Sequence, residues 1–495
     1  MGLSLALNNA RASLVATSSQ IGAASRNTTG ADDPSYSRKI ASLVSGGGGV
    51  SVNIQRATDS ALFARRLLSI SDAAAGEAVS KGLASLGQTV GDTNDPTSPA
   101  ARLGALGAAL QTAANRPDDA QLARDAVEKA RDLATSLNGA ANAVQAVRAE
   151  ADTALAGSVS TINDLLAQFA VANSAVMRGS AFGADISDAL DDRDRILSSL
   201  SEEIGISTLA RPGGELAIYT DSGVPLFDRT ARRVTFKETV GFAAGTVGQS
   251  VIVDGVPVTG ADSPMLVQSG RIAGLTTLRD EVTVTYQAQL DAVAGGLVDA
   301  FSETGDPDGN GAVTLAGLFT GAAGNVVPNG ISASNRGLAA SIRINAAVDP
   351  RVGGNLATLR DGGMNDNDLA LNPTAFRSNP GTEAGYAGRL RGLSAALGLE
   401  RSFDPAAELP GTMSLQAFAA ASAGWLSNAR KAATAEADYQ STLLSRASEV
   451  YSNAVGVNVD DETARILQLE QSYTASARLI SVVDQLIKTL MDAVR

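Results

Sequence analysis

Apolar side chains recur in alternating steps of three and four along the C-terminal segment, at Ile466, Leu469, Tyr473, Ser476, Ile480, Val483, Ile487, Leu490 and Val494. Only Ser476 is polar, so the series traces one narrow seam on a helix, the spacing of a coiled coil. Leu3, Leu7, Ala10, Leu14, Thr17 and Ile21 repeat the alternation at the other end of the chain. Between Pro99 and Ala156 the sequence is rich in strong helix formers and is broken only at Asn115-Arg116-Pro117, which predicts long helices. A further helix is expected from Ser158 to Met177, and another from Asp188 to Ile204.

The pattern changes near Gly205. Leu216 to Tyr219, Val224 to Phe227, Val234 to Phe236 and Val251 to Val253 are short apolar or β-branched runs between glycine, proline and aspartate turns, and they predict strands. A helix from Leu278 to Phe301 intervenes. Gly- and Asn-rich sequence with short runs such as Ser341 to Ile344 then continues to about Pro380, and helical composition returns from Leu415 to Tyr451.

Two matching stripes at opposite ends are most economically buried against each other as antiparallel neighbours, with the centre of the chain projecting outward. The expected fold is therefore α+β, elongated and multidomain. Residues 1–45 and 456–495 form paired coiled-coil helices, 46–208 and 386–455 a helical rod, and 209–385 an inserted β-rich outer domain. The helix 278–301 belongs either to the rod or to the outer domain.

Composition narrows the function. The 495 residues carry 39 basic and 52 acidic side chains, a net charge of −13, with no basic block to hold phosphates, so nucleic acid is not an expected partner. The chain has no histidine and no cysteine. That excludes Ser-His-Asp and Cys-His catalysis, disulfides and thiolate zinc sites, and leaves only carboxylate or lysine chemistry open, as in a carboxylate-dependent hydrolase. We expect no enzyme and no cofactor. The first twenty residues lack the charged start and unbroken apolar core of a cleavable signal, and no stretch is apolar enough for a membrane span. The amphipathic ends lack the Lys-rich face of a helix lying on a membrane, so no membrane partner is expected.

Four segments invite sharper chemistry. Asp306-Pro307-Asp308-Gly309-Asn310-Gly311 resembles the start of a calcium loop, but Gly317 stands where a bidentate glutamate is required, and the segment reads as an Asx-type turn. Asp191, Asp192 and Asp194 with Arg193 and Arg195 spread around a helix and read as a solvated face. Gly46 to Gly49 lacks the lysine of a phosphate loop and reads as a flexible connector. Phe418 and Trp425 share a helical face with Leu415 and are expected in the core.

The termini also carry a family resemblance. Ser25, Asn27, Pro34, Tyr36, Ser37 and Arg38 match a segment found in axial flagellar proteins, with Thr28-Thr29-Gly30 and Ser35 departing from it. Gly456-Val457-Asn458-Val459-Asp460-Asp461-Glu462 and Leu469 to Ile480 resemble the end of flagellar hook-associated proteins of the FlgK type, as do Leu190 to Leu197 and Thr304 to Phe319. The resemblance implies a structural subunit that joins hook to filament as a homo-oligomeric ring. It further implies export without a cleaved signal to an extracellular flagellum. The implied partners are the hook protein, a second junction protein and an export chaperone on the C-terminal helix. Leu3, Leu7, Leu14, Ile21, Ile466, Leu469, Tyr473, Ile480, Val483, Ile487 and Leu490 would then form the assembly seam, and Asn27, Pro34, Tyr36, Ser37 and Arg38 a subunit-contact motif. A hook or rod axial subunit shares the terminal pattern. An extracellular adhesive or carbohydrate-binding protein is the rival from another class, against which stands an aromatic content of 4%.

Overall fold

A helix, α1 (Gly2–Gly30), opens the chain and runs into a two-stranded antiparallel hairpin, β1 (Lys39–Gly46) and β2 (Gly49–Arg56), in which Lys39 stands opposite Arg56 and Gly46 opposite Gly49. The computed structural model describes residues 2–33, 35–46, 49–91, 95–324, 326–327 and 335–493. Gly46 and Gly49 therefore end a hairpin where a flexible connector was expected, and Gly47 and Gly48 lie outside the described residues. The β-branched runs on either side pair with each other.

Next come α2 (Ser60–Val90), α3 (Pro99–Asn115), α4 (Ala120–Phe182) and α5 (Ser187–Glu203). Each of the first three starts on a capping side chain: Asp59 accepts from Ala61 and Leu62, Ser98 from Ala101, and Asp119 from Gln121 and Leu122. The expected break before Ser158 does not exist. One helix of 63 residues runs through it, because Leu155, Ser158, Val159, Ile162 and Leu166 carry the buried face on past Gly157, which is itself exposed. At 1.5 Å per residue α4 is about 95 Å long. A compact globule of this length has a radius of gyration of roughly 23 Å, so a helix of that length makes the molecule long.

The β-region begins with a four-stranded antiparallel meander, β3 (Ile206–Ala210), β4 (Leu216–Thr220), β5 (Pro225–Asp228) and β6 (Thr230–Ala231), followed by a three-stranded sheet, β7 (Val234–Thr235), β8 (Ile252–Val253) and β9 (Val256–Pro257). The expected helix at Leu278 starts earlier: α6 (Arg271–Thr277) and α7 (Thr283–Ala300) are joined without a break by a π-helical turn at Leu278–Val282. This composite helix packs against α4 and α11. Small paired strands follow, β10 (Glu303–Gly305) with β11 (Val313–Leu315), and β12 (Phe319–Thr320) with β13 (Arg343–Ile344), the second pair bracketing the short α8 (Leu338–Ser341). After α9 (Ala357–Asp361), α10 (Gly388–Ala396) and the ladder of β14 (Glu400–Ser402) with β15 (Thr412–Ser414), the chain returns through α11 (Leu415–Val455) and ends on α12 (Val459–Ala493).

Helices account for 61% of the chain, with several small antiparallel sheets between them, an elongated α+β fold. Helix α2 is sandwiched between α11 and α6, and glycines let the backbones meet. A Cβ on Gly274 would lie 2.3 Å from the Ala75 carbonyl, and one on Gly76 would touch the Ala437 backbone at 3.4 Å. Phe418 is fully buried and stacks on Phe403 at 3.9 Å, while Trp425 is half-buried and lies parallel to Tyr286 at 6.3 Å. At the end of β10, Asp306 accepts from the Gly309 amide at 2.8 Å, an Asx-type turn.

Candidate assembly site

The two terminal helices lie side by side. Ser13 Oγ meets Ser476 Oγ at 3.3 Å, and the loop that follows α1 meets the α11–α12 corner, where Arg38 N donates to the Val455 carbonyl at 2.8 Å. The helices are thus antiparallel. The α1 face is built from small residues, with Ala10, Ala16, Thr17, Ala23 and Ala24 buried and Leu7, Leu14 and Ile21 half-buried. On α12 Val483 is buried, Ile466, Leu469, Ser476, Ile480 and Ile487 are half-buried, and Tyr473 is the most open position of the series. Pro34 and Val494 and the side chains of Leu3 and Leu490 lie outside the described residues.

A second apolar series on α12 has no cover. Leu479, Val482 and Leu486, again three and four apart, are 58%, 55% and 52% exposed. Met491 and Leu467 on α12 and Val15 on α1 are exposed too. One seam and one open stripe on the same helix are more apolar surface than the single partner α1 covers.

The base of this pair is locked by Asn27, which is fully buried. Its Nδ2 donates to the Lys39 carbonyl at 2.9 Å, and its Oδ1 accepts from the Lys39 amide at 2.8 Å and the Tyr36 hydroxyl at 3.0 Å. The last turn of α1 is thereby tied to the first residue of β1. The Tyr36 ring lies over Gly30, where a Cβ would come within 2.6 Å of it, and Lys39 Nζ sits 4.5 Å above the ring centre. Burial and the nearby Asp191 carboxylate push the Tyr36 phenol above its ordinary pKa. Ser37 is buried and bonds the Tyr451 hydroxyl on α11. The Arg38 carbonyl accepts from Ala57 N at 2.8 Å. Asn27, Tyr36, Ser37 and Arg38 thus meet in one place and spend these bonds within the subunit.

Beneath this lock runs an ion cluster that corrects the reading of α5 as a solvated face. Lys39, buried to its tip, pairs with Asp188 and with Asp191 at 3.4 Å. Arg56 pairs with Asp191 at 3.2 Å and with Asp194 at 2.7 Å. Asp192 and Arg195 do face solvent, paired with each other at 2.8 Å. Asp191 and Asp194 point the other way, because α5 packs on α4 and the hairpin lies over its inner face. Burial pushes both of their pKa values up, opposed by Arg56. Asp185 is held below the ordinary range, its burial outweighed by hydrogen bonds from Ser187 and the pair with Arg26 at 3.1 Å. Arg193 is half-buried and donates to the Gly214 carbonyl at 2.8 Å and to Asn173 Oδ1 at 3.4 Å. Burial draws its pKa down. The cluster welds hairpin, α1 and α5 into one joint. Among the described residues no group of three or more acidic side chains is placed to hold a metal ion, and no helix is long and apolar enough to cross a membrane.

Composition pointed away from this joint, since Lys39, Arg56 and Arg26 are isolated cations far from α5 in sequence. The hairpin was visible in the alternation of Ile40, Ser42, Val44 and of Val50, Val52, Ile54 about the glycines.

The comparisons with known proteins fall on the centre of the chain and on its C-terminal helix. Residues 84–309 match the flagellar hook-associated protein FlgK helical domain, and residues 450–493 match the flagellar basal body rod FlgEFG protein C-terminal family. Flagellar hook-associated protein 1 of Escherichia coli (strain K12) is 24% identical over 204 residues, covering 39% of this chain and 36% of that protein. The protein of the same name in Salmonella typhimurium is 24% identical over 216 residues, 41% of this chain and 37% of its own. The matched stretch thus spans little more than a third of these relatives' length. A solved structure of the flagellar hook junction protein FlgK from Burkholderia pseudomallei overlaps 52% of this chain and 46% of its own at 21% identity, with a TM-score of 0.42. The chain is thus similar to the FlgK helical domain through its centre and to the C-terminal segment of flagellar rod proteins at its end.

Proposed function

We propose that this chain is a structural subunit of the junction between hook and filament, and that it assembles into a ring through its terminal helices. The observation that carries the reading is the open stripe Leu479, Val482, Leu486 beside a seam already closed by α1. A helix with two apolar faces and one internal partner completes its core against other subunits. The hook protein and a second junction protein supply axial neighbours. An export chaperone covers the same stripe before assembly, and the chain is exported to an extracellular flagellum. Within the subunit we assign residues 1–45 and 456–495 to the axial pair, 46–208 and 386–455 to the rod, and 209–385 to the outer domain. The composite helix Arg271–Ala300 is counted with the rod, on whose helices it packs.

Deleting the gene tests the reading. Intact hooks that shed filament subunits into the medium are the expected result, and normal filaments would overturn it. A second reading, a rod or hook axial subunit, draws on the match of residues 450–493 to the rod protein C-terminal family; it predicts cells that lack hooks altogether.

A further inference from the structure

A buried charge cluster in the middle of α4 takes no part in the terminal helices, and what it holds is a loop. Arg279, on the π-helical turn, pairs with Asp152 at 2.6 Å and Asp280 at 2.7 Å, fully out of solvent. Asp152 accepts from the Thr239 amide at 2.7 Å, Arg148 donates to the carbonyls of Ala243 and Thr246 at 3.1 and 2.6 Å, and Arg279 donates to that of Gln249 at 2.9 Å. The Arg148 guanidinium also lies 4.7 Å over the Phe242 ring. The segment 237–249 has neither helix nor strand, yet both of its flanks and its turn are fixed from below. Buried ions of this kind cost stability unless fully bonded. Here they fix a loop in advance, which lowers the ordering cost of docking it. What the loop presents outward is Val240 and Val247, 96% and 82% exposed, beside the exposed charges of Lys237 and Glu238.

About a third of a turn round α4 from Arg148 and Asp152, Val147 and Ala151 line a groove of about 520 Å³ between α4, α2 and α6. Its walls are mostly small or apolar, and its rim carries Glu77, Lys81 and Glu150 together with Arg271, which is already paired with Glu202 at 2.8 Å. Among the described residues, Glu77, Lys81, Glu150, Lys237 and Glu238 make no ion pair. The pins on Arg148 and Asp152 keep a copy's own loop in place.

We infer that the loop 237–249 of one copy docks in the α2–α4–α6 groove of the next, its valines on the alanine-lined wall, Lys237 toward the rim carboxylates and Glu238 toward Lys81. Knob and groove are different surfaces of one chain with opposite charge order, so each copy offers a knob to one neighbour and a groove to the other, the arrangement that closes rings. This contact rests on the ring reading above.

The absence of cysteine makes it directly testable. A full-length chain carrying Val240→Cys and Ala78→Cys has only those thiols, and a second pair, Val240→Cys with Ala154→Cys, repeats the test at the groove's exposed edge. Flagella assembled with either chain are treated with a short bismaleimide and run on a denaturing gel. The expected result is a ladder of covalent oligomers, absent from each single variant and lost on adding Lys237→Glu. If both pairs are present at the junction yet stay monomeric, the loop contact is overturned and the ring reading stands. If the chain is absent from the junction, both fall.

Discussion

At the scale of single residues, the joint between terminal helices and rod turns on groups that are costly to leave alone. Asn27→Ala would strip partners from the Lys39 amide and carbonyl and from the Tyr36 hydroxyl at once. Each buried polar group left unpaired costs about 1–3 kcal/mol. We expect the Lys39 amide to exchange with solvent at least about tenfold faster in this variant than in the unaltered chain, following the free-energy scale; unchanged exchange would contradict the lock. Arg56 is the cation between Asp191 and Asp194, whose pKa values burial raises. A carboxylate whose pKa is raised by folding holds its proton more tightly in the folded chain, so stability from this source rises as pH falls from neutrality toward the ordinary carboxylate value. Arg56→Met removes the opposing charge and should cost about 3–5 kcal/mol at pH 7, with the deficit shrinking toward pH 5 in denaturant titrations. A deficit that stays constant with pH would refute it. The resemblance singled out Asn27, Tyr36, Ser37 and Arg38, but the sequence hid their internal duties, because Lys39 and Arg56 meet α5 only after more than a hundred residues of intervening helix.

At the scale of elements, periodicity was legible where one partner decides the pattern. The terminal seam is narrow because α1 alone covers it, so steps of three and four appear plainly from Ile466 to Ile487. Helix α2 was harder to read, for Gly76, Gly82 and Gly87 interrupt its pattern to admit close neighbours: a Cβ on Gly82 would clash with Leu278 and one on Gly87 with Arg430. The length of α4 was underestimated for a different reason, since Gly157 looks like a stop but is an exposed position that the buried stripe from Leu155 to Leu166 passes by. The thin α1–α12 pair, with Leu479, Val482 and Leu486 open, should be marginal before assembly, when α12 has a single helical partner. We therefore expect amides near Ile480 and Leu486 to exchange rapidly in the dilute monomer while those of α4 and α7 stay protected. Strong protection at Ile480 would contradict coupled ordering.

At the scale of the whole molecule, α4, about 95 Å long by helix geometry, is accompanied by the α1–α12 pair and by several small sheets. Of the strands between β3 and β13, the sequence showed β4, β5, β7, β8 and β13 as short apolar runs; the others and all of the pairing rest on contacts that sequence spacing does not display. The pair α1–α12 is the part on which the functional proposal depends. Replacing Ile480 and Ile487 with aspartate should bar the chain from flagella and leave the rod's thermal unfolding unchanged, as calorimetry of the purified variant would read. Labelling the unaltered chain on purified hook–filament complexes, and viewing them by electron microscopy, tests the central claim most directly. The account predicts one narrow band where hook meets filament, lost in the Ile480→Asp, Ile487→Asp variant; label spread along the filament, or a band that persists in the variant, would contradict it.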